Sequence, residues 1–285
     1  MPNSKKYVDL HVHTNYSDGS FSPTEAVQYA KHAGLAAISI TDHDITDGIP
    51  EALAEGEKCG VEIIPGIELS AETNGPNKAE IHILGYYIDI ENAALQNVLK
   101  KFRDARETRA QEITGKLKAS GIEVNAERLA RISGNGTIGR LHFARAMVED
   151  GIVRTISEAF QRFLGYDKPA YVPKLSFEPK EALELINSSG GIPVIAHPMY
   201  VYYKNENIIN ELVPLGLKGI EVWHSRHSNS AVKTFSDLAF EMGLVSTGGS
   251  DCHGRFEDDP AVMGKIKVPY SAVEALKKLK QKINA

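Results

Sequence analysis

The sequence predicts an α/β barrel with a helical subdomain inserted into it. Short apolar runs alternate with stretches of helical spacing, the pattern of a parallel sheet with helices outside. These runs deliver histidine, aspartate or glutamate one after another, mostly at their ends. Ligand-type residues at the C-terminal ends of successive strands favour a ring, because an open sheet gathers its site at a crevice. The rhythm fails from about residue 91 to residue 168, and this stretch reads as the insertion. The expected organisation is a first barrel segment over 1–90, a helical insertion for substrate recognition over 91–168 and a second barrel segment over 169–285.

The first strand is Tyr7-Val-Asp-Leu-His11-Val-His13, followed at once by Tyr16-Ser-Asp18-Gly19. Residues two apart on a strand point to the same side, so His11 and His13 can present two imidazoles to one metal ion. Residues 23–34 form a helix: Pro23 stands near its start, Ala26, Val27, Ala30 and Ala33 follow helical spacing, and Gly34 ends it. Residues 36–43 are a strand closing on Thr41-Asp42-His43, where Asp42 or Asp44 is expected to hold the second ring nitrogen of His43. A helix over 49–60 leads to the strand that closes on Glu68, and His82 lies in the next apolar run. Long helical patterns over 95–121 and 140–151 fill the insertion, and the prolines of Lys168-Pro-Ala-Tyr-Val-Pro, which disfavour helix, mark the return. A helix over 179–190 precedes a strand ending at His197. The last apolar run ends in Asp251-Cys-His253, which repeats the spacing of two. Cys252 points to the opposite face and reads as a small apolar filler.

A length of 285 residues is ample for a buried core, and 42% hydrophobic with 24% charged residues is an ordinary globular composition. A net charge of −5 gives no global attraction to duplex DNA or a membrane surface. No apolar signal region precedes the first strand and no run approaches the roughly 18 residues of a membrane span, so a cytoplasmic location is expected. Cys59 and Cys252 alone cannot supply a disulfide framework or a cysteine-based zinc site.

Taken in order, these motifs resemble those of the PHP family, the polymerase and histidinol phosphatase superfamily of metal-dependent phosphoesterases. The opening His-x-His falls on His11 and His13, the next acid on Asp18, Thr-Asp-His on Thr41-Asp42-His43, and the glycine-to-glutamate element on Gly66-Ile67-Glu68. The later single histidines fall on His82 and His197, and the closing Asp-x-His on Asp251 and His253. The resemblance covers residues 7–268 apart from the insertion and implies a distorted seven-stranded (β/α)7 barrel. It also implies three divalent metal ions. His11, His13, Glu68 and Asp251 would hold one, Asp18, His43 and His253 a second, and Glu68, His82 and His197 a third, with Glu68 bridging. Manganese is the expected metal by family analogy, while mixed imidazole and carboxylate ligation also suits iron or zinc. The implied catalyst is metal-bound hydroxide. His224 and His227, in Glu221-Val-Trp-His-Ser-Arg-His, are candidates to assist the leaving oxygen or contact phosphate.

Substrate choice is expected from the insertion. Arg103, Arg106 and Arg109 recur every third residue along one helix, and Gly139-Arg140-Leu-His142 places an arginine at an apparent helix start, a suitable anion site. Arg103, Arg106, Arg109, Arg140 and His142 are the expected substrate-binding residues. This element is similar to that of PHP members that hydrolyse nucleoside 3′,5′-bisphosphates to the 5′-monophosphate, including ones that trim short 5′-phosphorylated RNA. Tyr171, Tyr202 and Trp223 are aromatics available to stack on a base. The alternatives are a small-metabolite phosphatase such as a histidinol phosphatase, or a noncatalytic PHP regulatory module.

Overall fold

The computed structural model describes residues 6–73, 79–134, 136–255 and 261–283. The first part of the chain runs β1 (Tyr7–Val12), α1 (Pro23–His32), β2 (Leu35–Ile40), α2 (Ile49–Cys59), β3 (Glu62–Glu72) and β4 (Glu80–Tyr86). Four helices follow, α3 (Ala93–Ala119), α4 (Ala126–Ser133), α5 (Arg140–Glu149) and α6 (Ile156–Ala159), the last continuing into a π-helical turn over Phe160–Leu164. The remainder is α7 (Pro179–Ser188), β5 (Ile192–Ile195), α8 (Met199–Tyr202), α9 (Ile208–Leu212), β6 (Gly219–His224), α10 (Asn229–Glu241), β7 (Val245–Gly249), β8 (Val268–Pro269) and α11 (Ser271–Ile283).

Local chemistry explains the helix starts. Ser22 accepts the Glu25 amide while the Glu25 side chain accepts the Ser22 amide, a capping box in front of Pro23. Asn92 caps α3 through the Leu95 amide. At α5 the N-cap is Gly139, whose N–H donates to Nδ1 of His142 at 2.9 Å.

The strands form one sheet in the order β7-β6-β5-β4-β3-β2-β1-β8. β1, β2 and β3 run parallel, as do β5, β6 and β7. The expected all-parallel arrangement fails at β4, which is antiparallel to both β3 and β5. The reason is chain length: the step from Glu72 to Glu80 is shorter than the dozen or more residues that a parallel return requires. The two-residue β8 adds an antiparallel pairing to β1. Beyond β7 the sheet curls back on β1, where the His13 N–H donates to the Cys252 carbonyl at 2.9 Å and the Cys252 N–H to the His11 carbonyl at 3.3 Å. Gly249 permits this seam, because a Cβ there would lie 2.3 Å from His11 Cβ and 2.4 Å from its backbone nitrogen. The result is a nearly closed barrel.

Alternate residues of the strands feed two cores. Val8, Leu10, Ile64, Leu84 and Tyr86 pack with Ala272, Val273 and Leu276 of α11, while the opposite faces pack with α1, α2, α7, α9 and α10. Cys252 is buried in the second of these. The helices of the insertion surround a third core that includes Ile113, Leu129, Phe143 and Met147. α3 belongs to both regions: Leu95, Leu99 and Phe102 enter the barrel's core, whereas Ala110, Ile113 and Leu117 enter that of the insertion. Among the described residues, no helix is long and apolar enough to cross a membrane.

Candidate metal centre

All nine residues expected as ligands converge at one end of the barrel. Glu68, on β3, stands at the centre with no exposure. Its Oε2 faces His11 Nε2 at 3.3 Å, His13 Nε2 at 3.2 Å and His43 Nδ1 at 3.1 Å. Its Oε1 faces His82 Nδ1 at 2.9 Å and His197 Nε2 at 3.1 Å. Asp251 Oδ1 lies 3.4 Å from His11 Nε2 and 3.2 Å from His13 Nε2. Asp18 lies 3.3 Å from His253 Nε2 and 4.0 Å from His43 Nε2. His197 and Asp251 have φ of 27° and 56°, conformations that L residues adopt at a cost and that concentrate at functional sites.

The donor set fits divalent cations. His11 Nε2, both ring nitrogens of His13, His43 Nδ1, Asp18 Oδ1 and Glu68 Oε2 are buried without a hydrogen-bond partner, although they face one another. Buried polar atoms require a partner, and a cation supplies one to several lone pairs at once. Among the described residues, four overlapping sets have ligand atoms within 4.8 Å: His13 with Asp18, His43 and His253; His11 with His13 and Glu68; His43 with Glu68 and His82; and His11 with Glu221 and His224. Burial opposes ionisation of Glu68, but His43, His11 and His82 outweigh it and hold the carboxyl well below its usual range. His253 and His43 do the same for Asp18, and His11 and His253 for Asp251, again against burial. All three carboxylates are therefore charged and ready as ligands at neutral pH.

Residues behind the cluster hold it in place. Glu221, buried on β6, pairs with His11 Nδ1 at 2.9 Å and accepts the His197 N–H at 2.6 Å. It thereby turns His11 Nε2 towards Glu68 and Asp251. Glu221 is not among the residues the sequence points to; its one signal there is a lone acid between Ile220 and Val222 on an apolar strand. Glu80, missed in the same way, pairs with His82 Nε2 at 3.0 Å and with Lys174. The expected support of His43 by Asp42 or Asp44 is not what the structure shows. Asp42 accepts the Thr14 N–H and hydroxyl at 2.7 and 2.6 Å and the Ser17 hydroxyl at 2.5 Å, ordering the turn before Asp18. Asp44 accepts the Ser70 N–H at 2.9 Å and pairs with Arg106. Both ring nitrogens of His43 point at the central carboxylates instead, which leaves neither aspartate a nitrogen to hold.

His224 is buried with Nε2 3.6 Å from Asp251 Oδ2, and so stands behind that carboxylate. His227 pairs through Nδ1 with the Val222 carbonyl at 2.9 Å, and burial lowers its pKa.

Arg106, Arg109, Arg140 and His142 line one cavity of about 180 Å³ together with Asp18, His43 and His82. Arg109 donates from Nε to the Val172 carbonyl at 2.9 Å and has a buried Nη2 without a partner. Burial, with Arg140 and Arg106 close by, draws its pKa down to about 10. Arg140 donates to the Leu164 carbonyl and lies over the Phe160 and Tyr171 rings. Burial lowers His142 to about 4, leaving a neutral imidazole that caps α5. Arg103 is the exception among the five: it pairs with Asp47 at 3.1 Å and lines a different cavity. A three-residue step advances about 300° round a helix, so the direction drifts about 60° at each step. Three arginines at this spacing do not all face one point.

A near-closed α/β barrel with clustered imidazoles and carboxylates at its strand ends, beside a basic cavity, defines a metal-dependent hydrolase of anionic substrates. The chain belongs to the PHP domain family, whose model matches residues 9–213. It is 34% identical over 273 residues to a 3′,5′-nucleoside bisphosphate phosphatase of Chromobacterium violaceum, covering 91% of this chain and 94% of the relative. It is also 34% identical over 253 residues to a 5′-3′ exoribonuclease of Haemophilus influenzae, covering 88% and 90%. A solved structure from Bifidobacterium adolescentis, provisionally described as a metal-dependent phosphoesterase, superposes with a TM-score of 0.84 at 27% identity over 97% of this chain and 96% of that one.

Proposed function

We propose that this protein, a phosphoester hydrolase, removes the 3′-phosphate of nucleoside 3′,5′-bisphosphates to leave the 5′-monophosphate, and trims short 5′-phosphorylated RNA from its 5′ end. The observation that carries this reading is the single cavity in which Arg106, Arg109 and Arg140 face the imidazole and carboxylate cluster. One substrate can then offer a terminal phosphate to the guanidiniums and a second phosphate to the cluster. The names of the two curated relatives support the same pair of activities.

Three divalent cations, manganese by preference, are the proposed cofactors. The support is Glu68, whose two oxygens face different sets of imidazoles as a bridging carboxylate would, and a donor set of nitrogen and oxygen without thiolate. When bound, such ions bring the pKa of a coordinated water towards neutrality and offset charge on the phosphoryl group. The chain's own residues do the rest. Among the described residues, Arg109 reaches only a carbonyl group and Arg140 a carbonyl group and two ring faces, so their forks can take a phosphate in bidentate fashion. Asp42 orders the turn that carries Asp18, Glu221 orients His11, and His224 stands behind Asp251. In hydrolysis the oxygen of water bonds to phosphorus, the bond from phosphorus to O3′ breaks and a proton ends on O3′. The two cysteines are both unpaired, in keeping with a reducing cytoplasm as the proposed location.

The test is release of phosphate and nucleotide by manganese-loaded protein from adenosine 3′,5′-bisphosphate, histidinol phosphate and a 5′-phosphorylated oligoribonucleotide in parallel. Preferential conversion of the bisphosphate to AMP is expected. Preference for histidinol phosphate would overturn the assignment of the arginines.

A further inference from the structure

A second cavity, about 310 Å³, encloses part of the cluster itself, being lined by His43, Glu68, His82, His197, Asp251 and His253, and extends from it past Tyr200. It shares His43, Glu80 and His82 with the arginine cavity but contains none of the arginines, and its outer wall is Tyr200 and Val201 of α8. A nucleoside bisphosphate, with one phosphate on the arginines and the other at the cluster, carries its ribose and base on the near side of the reacting phosphate and has nothing attached beyond it. An oligonucleotide has a further group: the nucleotide attached through its 5′-oxygen to the phosphate under attack, which must leave the cluster on a side not already filled by the terminal nucleotide.

Tyr200 has the features of a stacking platform. It is 47% exposed, and its ring meets that of His197 edge to face with centroids 5.3 Å apart, so it borders the cluster directly. Tyr203, 75% exposed, and Lys204, also exposed, follow in the turn that ends α8, three and four residues after Tyr200. Lys204 has no ion-pair partner among the described residues and offers a charge to a following phosphate. The other aromatics are engaged elsewhere: Tyr202 packs edge-on against Phe235, Tyr171 lies under Arg140, and Trp223 is packed against both barrel cores.

The geometry points to this cavity as the subsite for the ribonucleotide on the 3′ side of the scissile phosphate, with its base stacked on Tyr200. The inference rests on the phosphoesterase reading above and deepens it, since it assigns single-stranded RNA its own surface on the enzyme. Stacking of this kind tolerates any base, so the subsite selects for chain length and not for sequence.

The experiment compares kcat/KM for a 5′-phosphorylated tetraribonucleotide with that for adenosine 3′,5′-bisphosphate, in the wild type, Tyr200→Ala and Tyr200→Phe. Equilibrium binding of the labelled tetranucleotide to metal-free protein is measured alongside. Tyr200→Ala should lower the ratio of tetranucleotide to bisphosphate efficiency roughly 5- to 100-fold and weaken tetranucleotide binding by a similar factor, the range that loss of one base stack produces. Tyr200→Phe, which keeps the ring, should restore both. An unchanged ratio together with unchanged binding in Tyr200→Ala would overturn the subsite. Wild-type protein that hydrolyses neither substrate would instead bring down the functional reading, with the binding comparison still deciding whether Tyr200 meets RNA.

Discussion

The barrel and the insertion contribute to one site in opposite ways. At the barrel end, nine ligand-type side chains arrive from several strands, and the central one, Glu68, is enclosed by five imidazoles. On the insertion side, a few cations stand close together with like charges as neighbours, and one of them, Arg109, has a buried nitrogen without a partner. The first arrangement is mutually supportive and independent of the leaving group. The second is electrostatically uncomfortable until an anion arrives. On the proposed function, the barrel carries chemistry common to phosphoesters, and the insertion carries the selection among them.

The severest way to break this contrast is Glu68→Gln. Replacing the shared carboxylate should cost at least about 1,000-fold in turnover of the bisphosphate and of a generic chromogenic ester alike, together with most of the bound metal by elemental analysis. A loss confined to the bisphosphate would move Glu68 out of the common chemistry. Arg109→Ala tests the other side. It should lower kcat/KM for the bisphosphate about 10- to 100-fold while leaving the generic ester close to wild type, since only the former offers a second phosphate. Because it also relieves the repulsion from Arg106 and Arg140, thermal unfolding should show no loss of stability; a lower Tm would make Arg109 a structural residue.

The smallest effect concerns pH. His142 is depressed from 6.5 to about 4, so between those values the unfolded chain binds the proton that the folded chain refuses. Stability from this group is present above about pH 6.5 and lost as pH falls towards 4. His142→Gln keeps an acceptor for the Gly139 amide without the titration. Denaturant unfolding at pH 7 and pH 4 should show the wild type losing up to about 3 kcal/mol more than the variant. Parallel losses would mean that His142 accepts its proton freely in the fold.

Much of the barrel was legible because its signals are local or ordered. Pairs such as His11 with His13 and Asp251 with His253 declare a shared face by their spacing of two, and single ligands recur on the apolar strands. What escaped depended on partners distant in sequence. Glu221 acts on His11, 210 residues away, and nothing beside it on β6 names that partner. Asp42 and Asp44 flank His43 in sequence yet turn to Thr14, Ser17, Ser70 and Arg106, and the left-handed φ of 56° at Asp44 breaks the regular alternation that the sequence suggests. Spacing alone groups Arg103 with Arg106, whereas helical drift turns it to Asp47. The reversal of β4 could have been read from the short step between Glu72 and Glu80.

α3 is one unbroken helix of 27 residues, about 40 Å long, anchored in the barrel by Leu95, Leu99 and Phe102. Arg106 and Arg109 ride on its next turn. Their separation from the cluster is therefore set by the helical rise and not by a flexible loop, which makes α3 a ruler. If RNA is trimmed as proposed, an enzyme that gauges its substrate in this way advances by a fixed stride, and the size of each released piece is fixed by backbone geometry whatever base it carries.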